Sequence, residues 1–556
     1  MDSTMQAPPL LISQILTYGT TIHAKQEVVT WGAQGARRMT YRDVGEQAAQ
    51  LAHALHGLGI TGDKRVATFM WNNAEHLVAY LGVPSMGAVL HAWNIRLSPE
   101  QLIYIADHAG AEVVMVDDTL LPPFRQMLPH FTSIRHVIVN GQVDDATLEA
   151  IRAVDHVEGA HRYAELLAGQ PTTYDWPEDL NEFDASSMCY TSGTTGNPKG
   201  VAYSHRANYL HAIAVAMTLK VEEGDRLLVV VPLFHANRWG LAYAALAAGA
   251  SLMMPDRYLQ GDPLAKFIQA EQITKGAGVP TVWNDLLLSM ERTGTELPSC
   301  TMLMVGGAPC PPALMRAFHD RHHIDLIHGW GMTEMTPVGT LAWAPAAVEE
   351  GSQEYWRYRS AQGRLLVGVE ARLVTPEGDI VANDGSSVGE LEVRGPWITG
   401  SYYANGTESE AERADMMSKF DDGWLRTGDV GTLTEDGYLN LTDRAKDVIK
   451  SGGEWISSVA MENAIMAHPD VIEASVVGIP DEKWGERPLA TVVLREGSSV
   501  GLEELAESLA DKFAKWQIPE RWVIVDEVPK TSVGKFDKKV IRGQYADGLL
   551  AVRTLC

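Results

Sequence analysis

Tyr190-Thr191-Ser192-Gly193-Thr194-Thr195-Gly196-Asn197-Pro198-Lys199-Gly200 crowds three glycines, four Ser/Thr hydroxyls and one lysine into a short run. Glycines expose backbone N–H groups, hydroxyls add donors and the lysine adds charge, a combination that suits a polyphosphate. The Walker pattern is absent, because glycine follows Lys199 and the glycine spacing differs. The bland alternative is a polar surface loop. The run is expected between a short strand and a helix: Ser204 stands as an N-cap ahead of Leu210, Ile213, Ala214 and Met217, which share one helical face.

Outward from this run, apolar stretches of strand length at 227–231, 250–254, 301–305 and 324–327 alternate with helical patterns. Asp262 as cap with Pro263 at the first helical position opens one of those helices. Such alternation predicts a parallel sheet with helices on both faces. Residues 39–139 read the same way, so the large domain is expected to hold two such layers. Near Arg364 the pattern changes to hairpins, with a strand at 369–374, a turn at 376–379 and alternation through Leu391 and Val393. Beyond the turn-rich segment 427–443, strands at 472–477, 489–493 and 522–525 and a helix at 502–515 form a unit of their own. The predicted fold is therefore α/β: a large N-terminal domain (1–443) of stacked βαβ-type sheets with a small β-rich subdomain, and a small mobile α+β C-terminal domain (444–556).

With 45 Lys+Arg against 71 Asp+Glu the chain carries a net charge of -26, which repels nucleic acid and anionic membrane in bulk, so a phosphate-bearing ligand must be met by local donors and cations. Cys189, Cys300, Cys310 and Cys556 show neither a CxxC pair nor zinc spacing. A reduced intracellular protein is the expectation. Residues 1–16 lack a secretory pattern and 241–254 is too short to span a bilayer, so a cytoplasmic location without integral membrane association is expected.

The phosphate-type loop closely resembles that of the adenylate-forming superfamily of acyl-CoA synthetases, luciferases and peptide-synthetase adenylation domains, and further motifs of that family follow in order along nearly the whole chain. The resemblance implies that Thr191, Ser192, Gly193, Thr194, Thr195, Gly196 and Lys199 hold the β- and γ-phosphates of ATP, with Thr191 also near the metal. Gly306-Gly307-Ala308-Pro309 and Gly329-Trp330-Gly331-Met332-Thr333-Glu334 come next. Glycines let a planar base approach the backbone, and an aromatic ring offers a stacking face. By resemblance the adenine sits there, Thr333 meets the α-phosphate and Glu334 holds Mg²⁺, for which one hard carboxylate suffices. Trp330 departs from the family's usual tyrosine: stacking survives, while the phenolic hydroxyl and its hydrogen bond are lost.

Asp429 and Arg444 suit the two ribose hydroxyls, and the family uses matching residues so; alone they would be an ordinary surface pair. Lys446 falls at the family's hinge. On the small domain Lys535 would serve adenylation, offsetting the repulsion between a carboxylate and ATP. Lys450-Ser451-Gly452-Gly453-Glu454 would pass the pantetheine arm of coenzyme A. His235, Arg238, Trp239, Gly306, Gly307 and Pro337 are the implied acyl pocket, with His235 near the carboxylate and Trp239 as its wall or gate. Arg238 departs from the family; facing the pocket, it would favour a polar acid. Alanines 242, 244, 245, 247 and 248 would either leave acyl room or reflect close helix packing.

The resemblance is strongest to the fatty-acyl branch, which includes medium- and long-chain fatty-acid ligases and methylmercaptopropionate-CoA ligases, often homodimers. It implies acid activation with ATP and Mg²⁺, then transfer to coenzyme A. A luciferase-like oxygenase, a carrier-directed adenylating module and a non-catalytic nucleotide binder are the competing readings. Lys535 argues against the last, since binding alone does not need it.

Overall fold

The computed structural model describes residues 1, 3–191, 197–444, 447, 449–451, 454–531 and 536–555, with backbone only at 237–238, 443–444 and 454–455. One sheet runs Gly159–Arg162, His136–Asn140, Ala111–Asp117, Arg65–Phe69, Val89–Ala92, Ala185–Tyr190, Gly200–Ser204. All neighbours are parallel except the final pair. A second, 14-stranded sheet holds the parallel strands Ser251–Met254, Arg226–Val229, Lys275–Gly278, Met302–Val305 and Asp325–Gly331. The β-rich subdomain is not a separate layer: its strands join that sheet antiparallel through Val338–Leu341, beyond a register shift at Trp330/Gly331.

Between the two sheets lies the helix Ala74–Ser85, buried at every position. Its sequence is apolar nearly all round, as a helix with no solvent face requires. Asn73 caps it, its side chain accepting from the His76 N–H at 2.9 Å. From Ile449 onward a six-stranded sheet around Val471–Asp481 and Gly485–Leu494 has its own core, including Ile449, Met461, Val476 and Trp522.

Four expectations are corrected. The phosphate-type run joins two strands rather than a strand and a helix, because Val201-Ala202-Tyr203 pairs back on Ala185–Tyr190 before the helix His205–Thr218 starts. Ser204 does cap that helix, but its buried face carries His211, Ala212 and Val215, while Ile213 and Met217 are exposed. Here polar side chains with internal partners displaced the apolar ones from the core. The helix at 261 begins at Gly261, with Asp262 accepting from Ser289 and Arg292 instead of capping. The helix from Leu502 ends at Glu507 and continues as turns. Ala242, Ala244 and Ala245 are fully buried on the helix Leu241–Ala248, which packs on the helices Ile12–Ile22 and His205–Thr218. Close helix packing accounts for them.

Candidate active site

The two limbs of the phosphate-type loop are clasped together. The Thr191 N–H donates to the Lys199 carbonyl at 2.9 Å, and the Lys199 N–H donates to Thr191 Oγ1 at 3.1 Å. Residues 192–196, and with them Ser192, Gly193, Thr194, Thr195 and Gly196, lie outside the described residues. Lys199 Nζ stands 2.5 Å from Asp415 Oδ2 and 5.1 Å over the Tyr402 ring. Tyr402 Oη donates to Glu334 Oε1 at 2.6 Å. Burial beside Glu334 drives that phenol's pKa well up, so it stays a donor.

Thr333 and Glu334 sit in a one-turn helix, Thr333–Met335, held from both sides: the Tyr203 hydroxyl donates to the Thr333 carbonyl at 2.8 Å, and the Thr399 N–H donates to the Glu334 carbonyl at 2.8 Å. Glu334 is buried at 7% exposure yet lines the cleft. Sequence reading passed over Tyr203, Tyr402 and Asp415, since nothing local marks residues whose partners are so distant in the chain. The only local signal is Tyr402's place just after the turn-forming residues Thr399-Gly400-Ser401.

Trp330 lines the cleft, and its Nε1–H donates to Asp429 Oδ2 at 2.7 Å. The indole thus makes a hydrogen bond where only a lost one was expected. Asp429 and Arg444 are register partners across two antiparallel strands, so the backbone brings them together; the Arg444 side chain lies outside the described ones.

Not every glycine serves a ligand. A Cβ on Gly331 would meet the Pro337 carbonyl oxygen at 2.0 Å, and one on Gly306 would meet the Gly329 oxygen at 2.9 Å. Neighbouring protein backbone by itself requires glycine at these two positions, and both line the cleft. Gly307 is different: its φ of 79° favours glycine, while a Cβ there would make only ordinary contacts, with Val279 at 3.5 Å and Trp239 at 3.8 Å.

At the acyl end, Trp239 is buried at 5% exposure, and a Gly306 Cβ would lie 3.2 Å from its ring. Its φ of 58° places a bulky residue in the left-handed region. Half-buried His235 lines the same cleft, its N–H donating to the Pro232 carbonyl at 3.0 Å. Pro337 lines it too; the Arg238 side chain is outside the described ones. Buried His328, behind the Ala308–Pro309 turn, is held near a pKa of about 4 by desolvation.

Thr191, Lys199, His235, Trp239, Gly306, Gly307, Ala308, Pro309, Gly329, Trp330, Gly331, Met332, Thr333, Glu334, Pro337 and Asp429 therefore share one cleft of about 1250 Å³. Its far wall comes from the C-terminal sheet's side: Thr531 and Phe536, which flank the undescribed 532–535, together with Lys538 and Arg542. Lys538 Nζ is fixed by Glu462 Oε1 at 2.9 Å. Lys450 and Ser451 are elsewhere, the Lys450 N–H donating to Glu486 at 2.9 Å and Ser451 Oγ accepting from Arg487 at 3.3 Å. Lys535, Lys446, Gly452 and Gly453 lie outside the described residues, as does the Glu454 side chain. Among the described residues no group of three or more metal-ligating side chains occurs, and no helix is long and apolar enough to cross a membrane.

Residues 21–403 match the family model "AMP-binding enzyme" and residues 460–535 its C-terminal domain. The chain is 40% identical to a 3-methylmercaptopropionyl-CoA ligase of Ruegeria pomeroyi, over 99% of this chain and 100% of that one. It is 39% identical to a medium-chain-fatty-acid–CoA ligase of Ectopseudomonas oleovorans (99% and 98% covered) and 41% to a long-chain-fatty-acid–CoA ligase of Thermus thermophilus (98% and 97%). The crystal structure of the anthranilate CoA ligase AuaEII in complex with anthranoyl-AMP superposes with a TM-score of 0.86 at 25% identity, covering 99% of this chain and 100% of that one. With a phosphate-type loop, a buried carboxylate and a tryptophan–aspartate pair converging on one cleft, the chain belongs to the AMP-binding enzyme family and is an ATP-dependent, AMP-forming acid–CoA ligase.

Proposed function

We propose that the acid is short or of medium length, of the class of 3-methylmercaptopropionate, and that it binds with its carboxylate near His235 and its tail against Trp239. The observation that supports this reading is the buried Trp239 ring on the cleft wall beside Gly306, its edge 3.2 Å from where a Gly306 Cβ would lie. Ala242, Ala244 and Ala245 on the helix that follows are buried and do not line the cleft.

In the first half-reaction the acid's carboxylate oxygen attacks the α-phosphorus of ATP and pyrophosphate leaves. Thr191 and Lys199, with the loop between them, hold the β- and γ-phosphates; Thr333 steadies the α-phosphate; Trp330 stacks on the adenine and turns Asp429 toward the ribose, with Arg444 beside it. The Glu334 carboxylate, oriented by Tyr402, fits Mg²⁺ as a hard oxygen ligand, and the ion would neutralise phosphate charge. Lys535 enters between the two anions and stabilises the in-line transition state. That Thr531 and Phe536 line the cleft supports this placement. In the second half-reaction residues 444–556 turn about Lys446 against residues 1–443. Lys450, Ser451, Gly452, Gly453 and Glu454 then face the cleft, the thiol of coenzyme A attacks the acyl carbon, and AMP leaves. The reading includes a cytoplasmic homodimer, as in the fatty-acyl branch.

The test is a panel of acids from propionate and 3-methylmercaptopropionate to palmitate, assayed for pyrophosphate release. Short and medium acids should be preferred. Trp239→Gly, which suits the backbone there, should move the kcat/KM ratio toward longer acids by about tenfold or more. Preference for palmitate by the unaltered enzyme would overturn the reading.

A further inference from the structure

The strand Arg226–Val229 runs out of the 14-stranded sheet into residues 230–235, where the ladder ends and Pro232 has no N–H to give. Backbone groups left unpaired in a buried segment are costly, and here a side chain from the other sheet meets them. Asn72, 3% exposed, follows the strand Arg65–Phe69 of the seven-stranded sheet. Its Nδ2 donates to the carbonyls of Val229 at 2.7 Å and Val231 at 2.9 Å. Its Oδ1 accepts from the Leu233 N–H at 2.8 Å. Both donors and one acceptor of the carboxamide are thus spent on three residues, Val229, Val231 and Leu233, of one five-residue stretch that leaves the other sheet. Tyr80, from the buried central helix, adds a hydroxyl donated to the Leu233 carbonyl at 2.6 Å. On the far side the Asp256 N–H donates to the Asn72 carbonyl at 3.0 Å, which ties the clamp's own backbone to the second sheet.

His235 stands two residues beyond Leu233 and Trp239 six, joined by a single turn that includes two positive-φ positions, Ala236 and Trp239. A strained turn keeps its shape only while its root is fixed. We infer that Asn72, assisted by Tyr80, is the positioning residue for the acyl end of the cleft: it fixes the root from which His235 and Trp239 project, and so sets affinity and selectivity for the acid without touching it. This rests on the reading that the acid binds against His235 and Trp239. Asn72 is absent from the cleft wall, so its effect passes through the segment it holds.

Tyr80→Phe removes one hydroxyl and leaves the ring packing intact; Asn72→Ala removes all three carboxamide bonds. Both are assayed by ATP–pyrophosphate exchange with the acid that the unaltered enzyme uses best, alongside thermal melting. Tyr80→Phe should melt within a few degrees of the unaltered protein, raise KM for the acid about threefold to tenfold and leave KM for ATP within about twofold. Asn72→Ala, where it folds, should raise KM for the acid more than about tenfold and change the rank order of the acid panel. A lowered melting temperature with unchanged KM for the acid and unchanged rank order overturns the inference, as does an equal rise of both KM values. If Asn72→Ala does not fold, Tyr80→Phe decides. Trp239→Gly separates the two ideas. Should it leave acid selectivity untouched, the acyl-site reading falls; should it alter selectivity while Tyr80→Phe does not, only the clamp falls.

Discussion

Lys199 and Asp415 form an ion pair beside the phosphate-type loop, the Asp415 side chain being 61% exposed. Such pairs are weak in water, and a polyphosphate offers the ammonium more charge than one carboxylate does. On the proposed reading, in which Lys199 holds the β- and γ-phosphates, Asp415 is a competitor for the lysine that ATP must displace. Asp415→Asn is expected to lower KM for ATP by up to about fivefold, with KM for the acid unchanged, in steady-state assays; a raised KM for ATP would show Asp415 to be supporting the site. Lys199, Glu334 and Asp429 were legible as cleft residues because they come in runs of unusual composition, and all three line the cleft. Tyr402 and Asp415 were not, because each acquires its role from a partner far off in sequence. Trp330 was half legible: its ring was expected to stack, but its bond to Asp429 needed the strand register that brings position 330 to position 429.

At the scale of elements, periodicity identified Arg226–Val229, Ser251–Met254 and Met302–Val305 to within two residues, since each is a buried apolar run, but it ended Asp325–Gly331 four residues early and missed Lys275–Gly278, whose lysine and two glycines break the apolar pattern. The same logic failed on the helix His205–Thr218. Its buried face includes His211, whose Nε2 accepts from the Val338 N–H at 3.1 Å, and Asn208, which donates to Ser186 and Ser187. Polar residues satisfied from outside the helix carry no apolar periodicity, so the moment points the wrong way. The loop hairpin was missed for a related reason: five residues of Gly200–Ser204 are too few to separate from the helix that follows. Gly331 and Gly306 were seen as ligand space because a sequence cannot tell which neighbour, protein or nucleotide, comes close.

Across the whole molecule, burial holds His91 and His211 at about 3 and His205 and His328 at about 4, all below the usual 6.5. Three of them accept hydrogen bonds that need a neutral ring: His91 from Trp93 Nε1, His205 from the Ile12 N–H and His211 from the Val338 N–H. The unfolded chain therefore binds more protons than the native one below about pH 6.5. Stability from these groups is complete above that pH and is lost as pH falls toward about 4. Asp117 and Asp256 act the other way, burial raising both carboxyls and Asp117 to about 7, so that their contribution is complete below about pH 4 and fades as pH rises toward neutrality, but the four histidines outnumber them. Melting temperature should accordingly fall steadily from pH 6.5 to pH 4; a flat or rising profile would contradict this arrangement. The most direct measurement of the account as a whole is on the two half-reactions of Lys535→Ala. ATP–pyrophosphate exchange should drop about a hundredfold or more, while thioester formation from supplied acyl-adenylate and coenzyme A stays within a few fold of the unaltered enzyme. Equal loss in both half-reactions would contradict a small domain that presents one face for adenylation and another for thioester formation.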